Sequence, residues 1–261
     1  MSILVAVDFL SLLSRAPASP KNKTKAEKFR PVLSISFKME FETGKNLLPN
    51  GCKKIFFTHI ESPSKVFIRD EKLEKLWNTK FLHEIQDGIV QNFHHRFKSN
   101  VKIEDLINNF VIVEHKKLYH RGKVLTANSE NSTITCQLID YGKIIENVNI
   151  DAIRPMSKDL KNLNGFCVCV NLDEILPTGS TDPTKWTNTS KDRFLQITRD
   201  HEIFMQQTGK SVQDENNMMK TPVNLYFLEK LKERAFEPTT FSLQNVKEVL
   251  IDQGLALRPR K

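Results

Sequence analysis

Between residues 109 and 156, four or five short β-type runs follow one another with turn residues between them. Phe110-Val-Ile-Val113 is apolar and largely β-branched, and Leu118-Tyr-His-Arg-Gly-Lys-Val-Leu125 follows it across the turn region His115-Lys-Lys117. Asn128-Ser-Glu-Asn131 makes the next turn. Ser132-Thr-Ile-Thr-Cys-Gln-Leu-Ile139 then alternates polar and apolar residues, and Asp140-Tyr-Gly-Lys143 turns into Ile144-Ile-Glu-Asn-Val148. Strands this short bury little by themselves. Antiparallel neighbours must wrap around one shared core, which is the pattern of a small barrel.

The flanking segments have different periods. Lys54-Ile-Phe-Phe-Thr-His-Ile60 and Lys65-Val-Phe-Ile-Arg69 are separated by Glu-Ser-Pro-Ser and read as a hairpin. Residues 71–97 carry apolar side chains at Leu73, Leu76/Trp77, Phe81, Ile85, Ile89, Phe93 and Phe97, a spacing of three or four that marks one face of a long amphipathic helix. Gly88 is a modest cost inside it. His94 and His95 near its end suit the negative pole of the helix better than a metal. Downstream, Cys167–Leu172 reads as a strand, 176–183 as a loop, 188–200 as a helix and 201–206 as a strand. Gln207–Lys220 reads as a polar loop, Pro222–Leu228 as a strand, and Ser242 as the cap of a final helix ended by Gly254. The class expected is α+β, mainly β.

Composition narrows the function. The chain has 261 residues and a formal net charge of +8, with 39% hydrophobic residues, an ordinary globular balance. The first 40 residues and the last four carry +7 of that charge, which leaves +1 for the body. A broad basic nucleic-acid groove is therefore not expected, and RNA binding is expected only weakly through the ends. Residues 1–32 read as a disordered basic tail, and the apolar run Ile3–Leu13 lacks the preceding positive charge of a secretory leader. No apolar run is long enough to span a membrane. Cys52, Cys136, Cys167 and Cys169 are too few and too uneven for a disulfide framework, and no His/Cys set has metal-ligand spacing. Gly-Lys-Ser at 209–211 lacks the glycine spacing of a phosphate loop.

The order hairpin, long helix, small barrel, strands and C-terminal helix resembles an extended Tudor domain. The residues that carry the resemblance are His59-Ile-Glu-Ser-Pro-Ser-Lys-Val-Phe-Ile68, Tyr119-His-Arg-Gly-Lys-Val124, Leu138-Ile-Asp-Tyr-Gly142 and Ile153-Arg-Pro155. Ile175-Leu-Pro177, Trp186, Val223-Asn-Leu225, Val246 and Gly254-Leu-Ala256 follow in the family's order. The resemblance implies a Tudor barrel at about 109–156, inserted into a staphylococcal-nuclease-like OB fold. The OB halves fall at about 52–70 and 160–258, and helix 71–97 bridges the two bodies. The extended Tudor domain would thus run over 33–258.

The same resemblance implies a ligand site, an aromatic cage that stacks a methylated guanidinium on ring faces. Carried over residue by residue, the cage positions are Glu114, His120, Leu138 and Tyr141, with Lys143 where the family has Asn. A one-residue shift brings in Tyr119. The cage is thus degenerate. Arg121 and Asp140 are expected to pair across strands as a structural device. No cofactor, metal or catalytic set is expected, since fold ancestry with a nuclease does not supply catalysis. The function implied is a non-enzymatic scaffold of the germline piRNA pathway. It would bind a peptide arm of a Piwi/Argonaute-class or other Tudor-network partner, in the cytoplasm or in perinuclear germ granules. A methylarginine reader with a shifted cage and an OB-fold single-stranded RNA binder are the alternatives.

Overall fold

A computed structural model describes residues 44–92, 97, 101–180, 182, 184–214, 218–231 and 239–259. The expected basic tail, the run Ile3–Leu13, and His94 and His95 lie outside the described residues.

Strand β1 (Lys53–Ser62) turns into β2 (Lys65–Asp70), the expected hairpin. Asp70 then caps a helix, its carboxylate accepting from the Leu73 N–H at 2.8 Å. The helix is not uniform. Helix α1 (Glu71–Leu76) passes through one π-helical turn (Trp77–Phe81) into α2 (Leu82–Asn92). Leu76 is left exposed while Trp77 is buried. The helix buries Trp77 and Ile89 against Ile112, Met156, Leu160 and Phe166, and so joins the barrel's outer wall to the chain that leaves it. A methyl group on Gly88 would meet Leu160 Cδ2 at 3.6 Å, an ordinary contact. Gly88→Ala is therefore expected to stabilise the protein by about 0.5–1 kcal/mol in urea unfolding; a loss of stability would contradict this packing.

The barrel follows. Its strands are β3 (Phe110–His115), β4 (Leu118–Asn128), β5 (Thr133–Leu138), β6 (Ile144–Asn149) and β7 (Ile153–Pro155). They pair antiparallel in the order β6-β5-β4-β3-β7. Strict alternation on β5 sends Ile134, Cys136 and Leu138 inward, where they meet Val111, Val113, Val124, Ile145, Val148 and Ile153 in one core. Helix α3 (Lys158–Asn162), capped by Ser157, leads out.

The remaining elements are β8 (Val168–Leu172), β9 (Leu176–Pro177), α4 (Asn188–Asp200), β10 (Ile203–Gln207), β11 (Val212–Gln213), β12 (Met219–Lys230), β13 (Phe241–Asn245), α5 (Val246–Asp252) and β14 (Ala256–Leu257). Strand β10 pairs with both β1 and β12. The ladder β10-β1-β2-β8-β12 thereby closes on itself, which is the five-stranded OB ring. Its core holds Ile55, Val66, Val170, Phe194, Leu225 and Leu250. The architecture is thus α+β and mainly β, a small five-stranded barrel and an OB ring bridged by a helix.

Three local expectations change. Phe241–Asn245 is a strand paired with β12, so Asn245, not Ser242, caps the last helix by accepting from Lys247 N–H at 2.9 Å. The expected polar loop 207–220 contains a short hairpin rung, with Val212 and Gln213 opposite Lys220 and Met219. The expected loop after Ile175 contributes Leu176 and Pro177 to a two-stranded pairing with β14. Short pairings like these carry no hydrophobic period, which hides them from sequence reading.

Candidate functional site

The turn that joins β3 to β4 decides what faces the mouth of the barrel. Lys116 and Lys117 both take the left-handed conformation, at φ 53° and 65°, which makes a two-residue hairpin turn. The register then sets His115 opposite Leu118, Val113 opposite His120 and Glu114 opposite Tyr119. Side chains alternate along each strand. His115, Leu118 and His120 consequently share the inner face at the barrel's rim, while Glu114 and Tyr119 share the outer one.

A cleft of about 220 Å³ opens at this rim, lined by Thr58, His115, Lys116, Leu118, His120, Leu138, Tyr141 and Lys143. It lies where the OB half meets the barrel, because Thr58 belongs to β1 and its hydroxyl donates to the Tyr141 carbonyl at 2.9 Å. Its size is below that of small-molecule pockets, roughly 300–1,000 Å³, and suits one inserted side chain. Four of the predicted residues, His120, Leu138, Tyr141 and Lys143, come together there. Glu114 is exposed, and Tyr119 packs beside Trp77, Ile112 and Phe166 under the helix, so these two do not join them. The sequence reading missed Thr58, His115, Lys116 and Leu118. The length of the β3–β4 turn is the signal that would have moved the first position from Glu114 to His115.

Three rings line the site. The centroids of His115 and His120 are 6.4 Å apart, and His120 meets Tyr141 edge-on at 5.5 Å. Leu138, buried in the barrel core, forms part of the floor. Tyr141 is already engaged from inside. The Arg69 guanidinium carbon lies 5.2 Å from its ring centroid and 4.2 Å from that of Trp77. Arg69 is buried and held by the Phe166 carbonyl at 2.8 Å, the Asp140 carbonyl at 2.9 Å and the Glu74 carboxylate at 3.0 Å. The protein's own guanidinium thus sits on the ring that a ligand's guanidinium would use.

Titration behaviour follows from burial and from the lysines. Burial first, then the neighbouring His115 and Lys143, holds His120 below the ordinary histidine range, against an opposing pull from Asp140. Burial, Lys143 and Lys116 lower His115 in the same way. Burial also raises the Tyr141 phenol. Away from the cleft, burial pushes the Cys136 and Cys167 thiols up to about 12 and Cys169 to about 11, so all three stay protonated at neutral pH. Among the described residues, no group of three or more His, Cys, Asp or Glu side chains is placed to hold a metal ion. No helix among them is long and apolar enough to cross a membrane.

Arg121 and Asp140 lie just beneath the site. Arg121 is fully buried on β4 and donates from Nε to Asp140 Oδ2 at 3.0 Å, with Nη2 on Oδ1. Nη1 also reaches the Leu160 and Leu163 carbonyls at 2.8 Å, and Nη2 the Asn164 carbonyl at 2.9 Å. The pair therefore ties the barrel to the connector that leads into the OB half.

A family model described as the Tudor domain matches residues 50–174. Among curated proteins, the chain is 24% identical over 208 residues to RING finger protein 17 of Homo sapiens and 26% identical over 204 residues to that of Mus musculus. These alignments cover 79% and 78% of this chain but only 12% and 11% of the relatives' lengths. Among solved structures, the extended Tudor domain of human TDRD1 in complex with a symmetrically dimethylated peptide aligns with TM-score 0.59 at 17% identity, covering 80% of this chain and 90% of that one. A mouse TDRD1 extended Tudor domain, bound to a MILI peptide containing dimethylarginine, gives 0.60 at 17% identity over 82% and 96% of the two chains. The D287A variant of the Drosophila melanogaster Papi extended Tudor domain, with an N-terminal Piwi peptide unmethylated at its arginine, gives 0.60 at 16% identity over 80% and 99%, and the same variant is also known with the symmetrically dimethylated form. Residues 50–174 thus match the Tudor domain, and the chain has the fold of the extended Tudor domains with which it aligns.

Proposed function

We propose that this chain is a non-enzymatic interaction module that holds a peptide arm of a protein partner in the cleft between barrel and OB half, without reading arginine methylation. The observation that carries this reading is the composition of the cleft at the barrel rim. It has a ring wall from His115, His120 and Tyr141, but an aliphatic Leu138 and a cationic Lys143 at two of the expected cage positions. TDRD1 and Papi domains of the same fold hold peptides, and the D287A variant of Papi does so with its Piwi peptide's arginine methylated or not. By that analogy the partner is a Piwi/Argonaute-class protein or another Tudor-network protein. The setting is then the piRNA pathway of the germline, in the cytoplasm or its perinuclear granules.

The test is calorimetric titration of the chain with paired N-terminal arm peptides of Piwi-class proteins, unmethylated and symmetrically dimethylated. The expected result is binding of both forms with less than about a tenfold difference, or 1.4 kcal/mol. Methylation keeps the charge and gains only where ring faces exclude water, whereas here Leu138 offers no ring face and Lys143 repels a second cation. A preference of tenfold or more for the methylated form, lost on Tyr141→Ala, would establish the shifted cage instead. Failure of every arm peptide to bind would overturn the arm reading.

A further inference from the structure

The cleft is cationic where the family's implied ligand is itself a cation, and that asymmetry points to a different occupant. Lys116 and Lys143 stand at its edges, and His115 and His120 form its wall. Among the described residues, no carboxylate lines it. Glu114 projects from the opposite face of β3, and Asp140 beneath the floor gives one oxygen to Arg121 Nε and the other to Nη2, with the Phe166 N–H at 3.3 Å on the latter. The Asp140 carboxylate is thus paired with Arg121, although its charge still reaches His120. His115 lines the cleft, and its Nε2 is buried with no hydrogen-bond partner among the described residues. Ammonium groups beside a small cleft favour acceptors and oppose cations.

We propose that the cleft receives an anionic side chain of the bound arm, a carboxylate or a phosphate, on Lys116, Lys143 and the two imidazoles. This deepens the arm reading and rests on it. Lys116 and Lys143 line the cleft together with His115 and His120, and the charges of both lysines bear on His115. The pH dependence follows. Both histidines are held neutral by burial and by the lysines, with Asp140 pulling His120 the other way. A bound anion offsets that repulsion and favours the protonated rings, so anion binding takes up protons and strengthens as pH falls through the histidine range.

The experiment uses the full chain and four blocked tripeptides, Gly-X-Gly with X phosphoserine, glutamate, arginine or alanine. Imidazole NMR signals report occupancy at about pH 6 and about pH 8. The phosphoserine or glutamate tripeptide is expected to move the His115 and His120 signals saturably at the lower pH, and to bind several-fold more weakly at the higher one. The ranking of those two tells phosphate from carboxylate. Lys143→Gln and Lys116→Asn are each expected to weaken binding by about tenfold. Asn suits the left-handed turn position, and Lys116 is exposed, so that variant folds. Absence of saturable shifts for both anionic tripeptides, binding of the arginine tripeptide as tightly as theirs, or indifference to both lysine substitutions would each overturn the proposal. Arm peptides that bind while anionic tripeptides do not would sink this inference and leave the arm reading standing. Tripeptide binding without any arm binding would do the reverse.

Discussion

Arg121→Ala is expected to destabilise the protein by about 3–5 kcal/mol, the scale for stripping one partner from a buried ion pair. The side chain is fully buried and makes five hydrogen bonds, two to the Asp140 carboxylate and three to the carbonyls of Leu160, Leu163 and Asn164. Removing it leaves a buried carboxylate without its cation and three carbonyls without donors. Asp140→Ala should cost less, because the three carbonyls keep their guanidinium. The double variant should cost clearly less than the two singles together, since the pair acts as one unit. Arg121→Lys should fall between, keeping the charge but not the planar fork that reaches carboxylate and carbonyls together. Urea unfolding of the four proteins reads all of this. A loss below about 1 kcal/mol for Arg121→Ala would mean that the connector does not depend on this side chain.

Gly142→Ala is expected to cost about 2–5 kcal/mol, from two sources that add. The backbone at Gly142 has φ 80°, where a side chain is strained, and a Cβ there would lie 2.0 Å from Phe67 Cγ. Phe67 is a buried residue of β2 and stacks on His59, so it has little room to retreat. Cutting Phe67 back to Ala removes the three atoms met, so in a Phe67→Ala background Gly142→Ala should cost less by the steric share, while the backbone share stays. The check is thermal unfolding of the single and double variants. Equal destabilisation by Gly142→Ala with and without Phe67→Ala would show that the clash contributes nothing.

How much of this was legible depends on the length scale of each signal. The barrel was readable because β5 alternates cleanly and Asp140-Tyr-Gly marks a tight turn. The OB half was readable mainly through family resemblance, because its closure is made by β10 meeting strands far away in sequence. The helix was readable as a period but not as a geometry. The π-helical turn at Trp77–Phe81 changes which neighbour is inward without breaking the apolar spacing. In the cleft, spacing alone placed Glu114 beside His120, and a two-residue turn puts His115 there instead. Arg69 was invisible as a site residue. Its position ends an ordinary apolar strand, and only the fold brings it onto Trp77 and Tyr141.

The place where the barrel interrupts the OB ring sets an order of assembly during synthesis. The barrel is contiguous, so a chain that has emerged past Pro155 holds all five of its strands. The OB ring is not. Strands β1 and β2 are made first but find their partners only when β8, β10 and β12 have followed. Until then the hairpin displays open edges and an apolar face bearing Ile55, Val66 and Ile68. Folding from the ribosome therefore runs from the inside of the sequence outward. Of the ring's strands, β1 and β2 are made first and sheltered last, which leaves them most in need of a chaperone's cover.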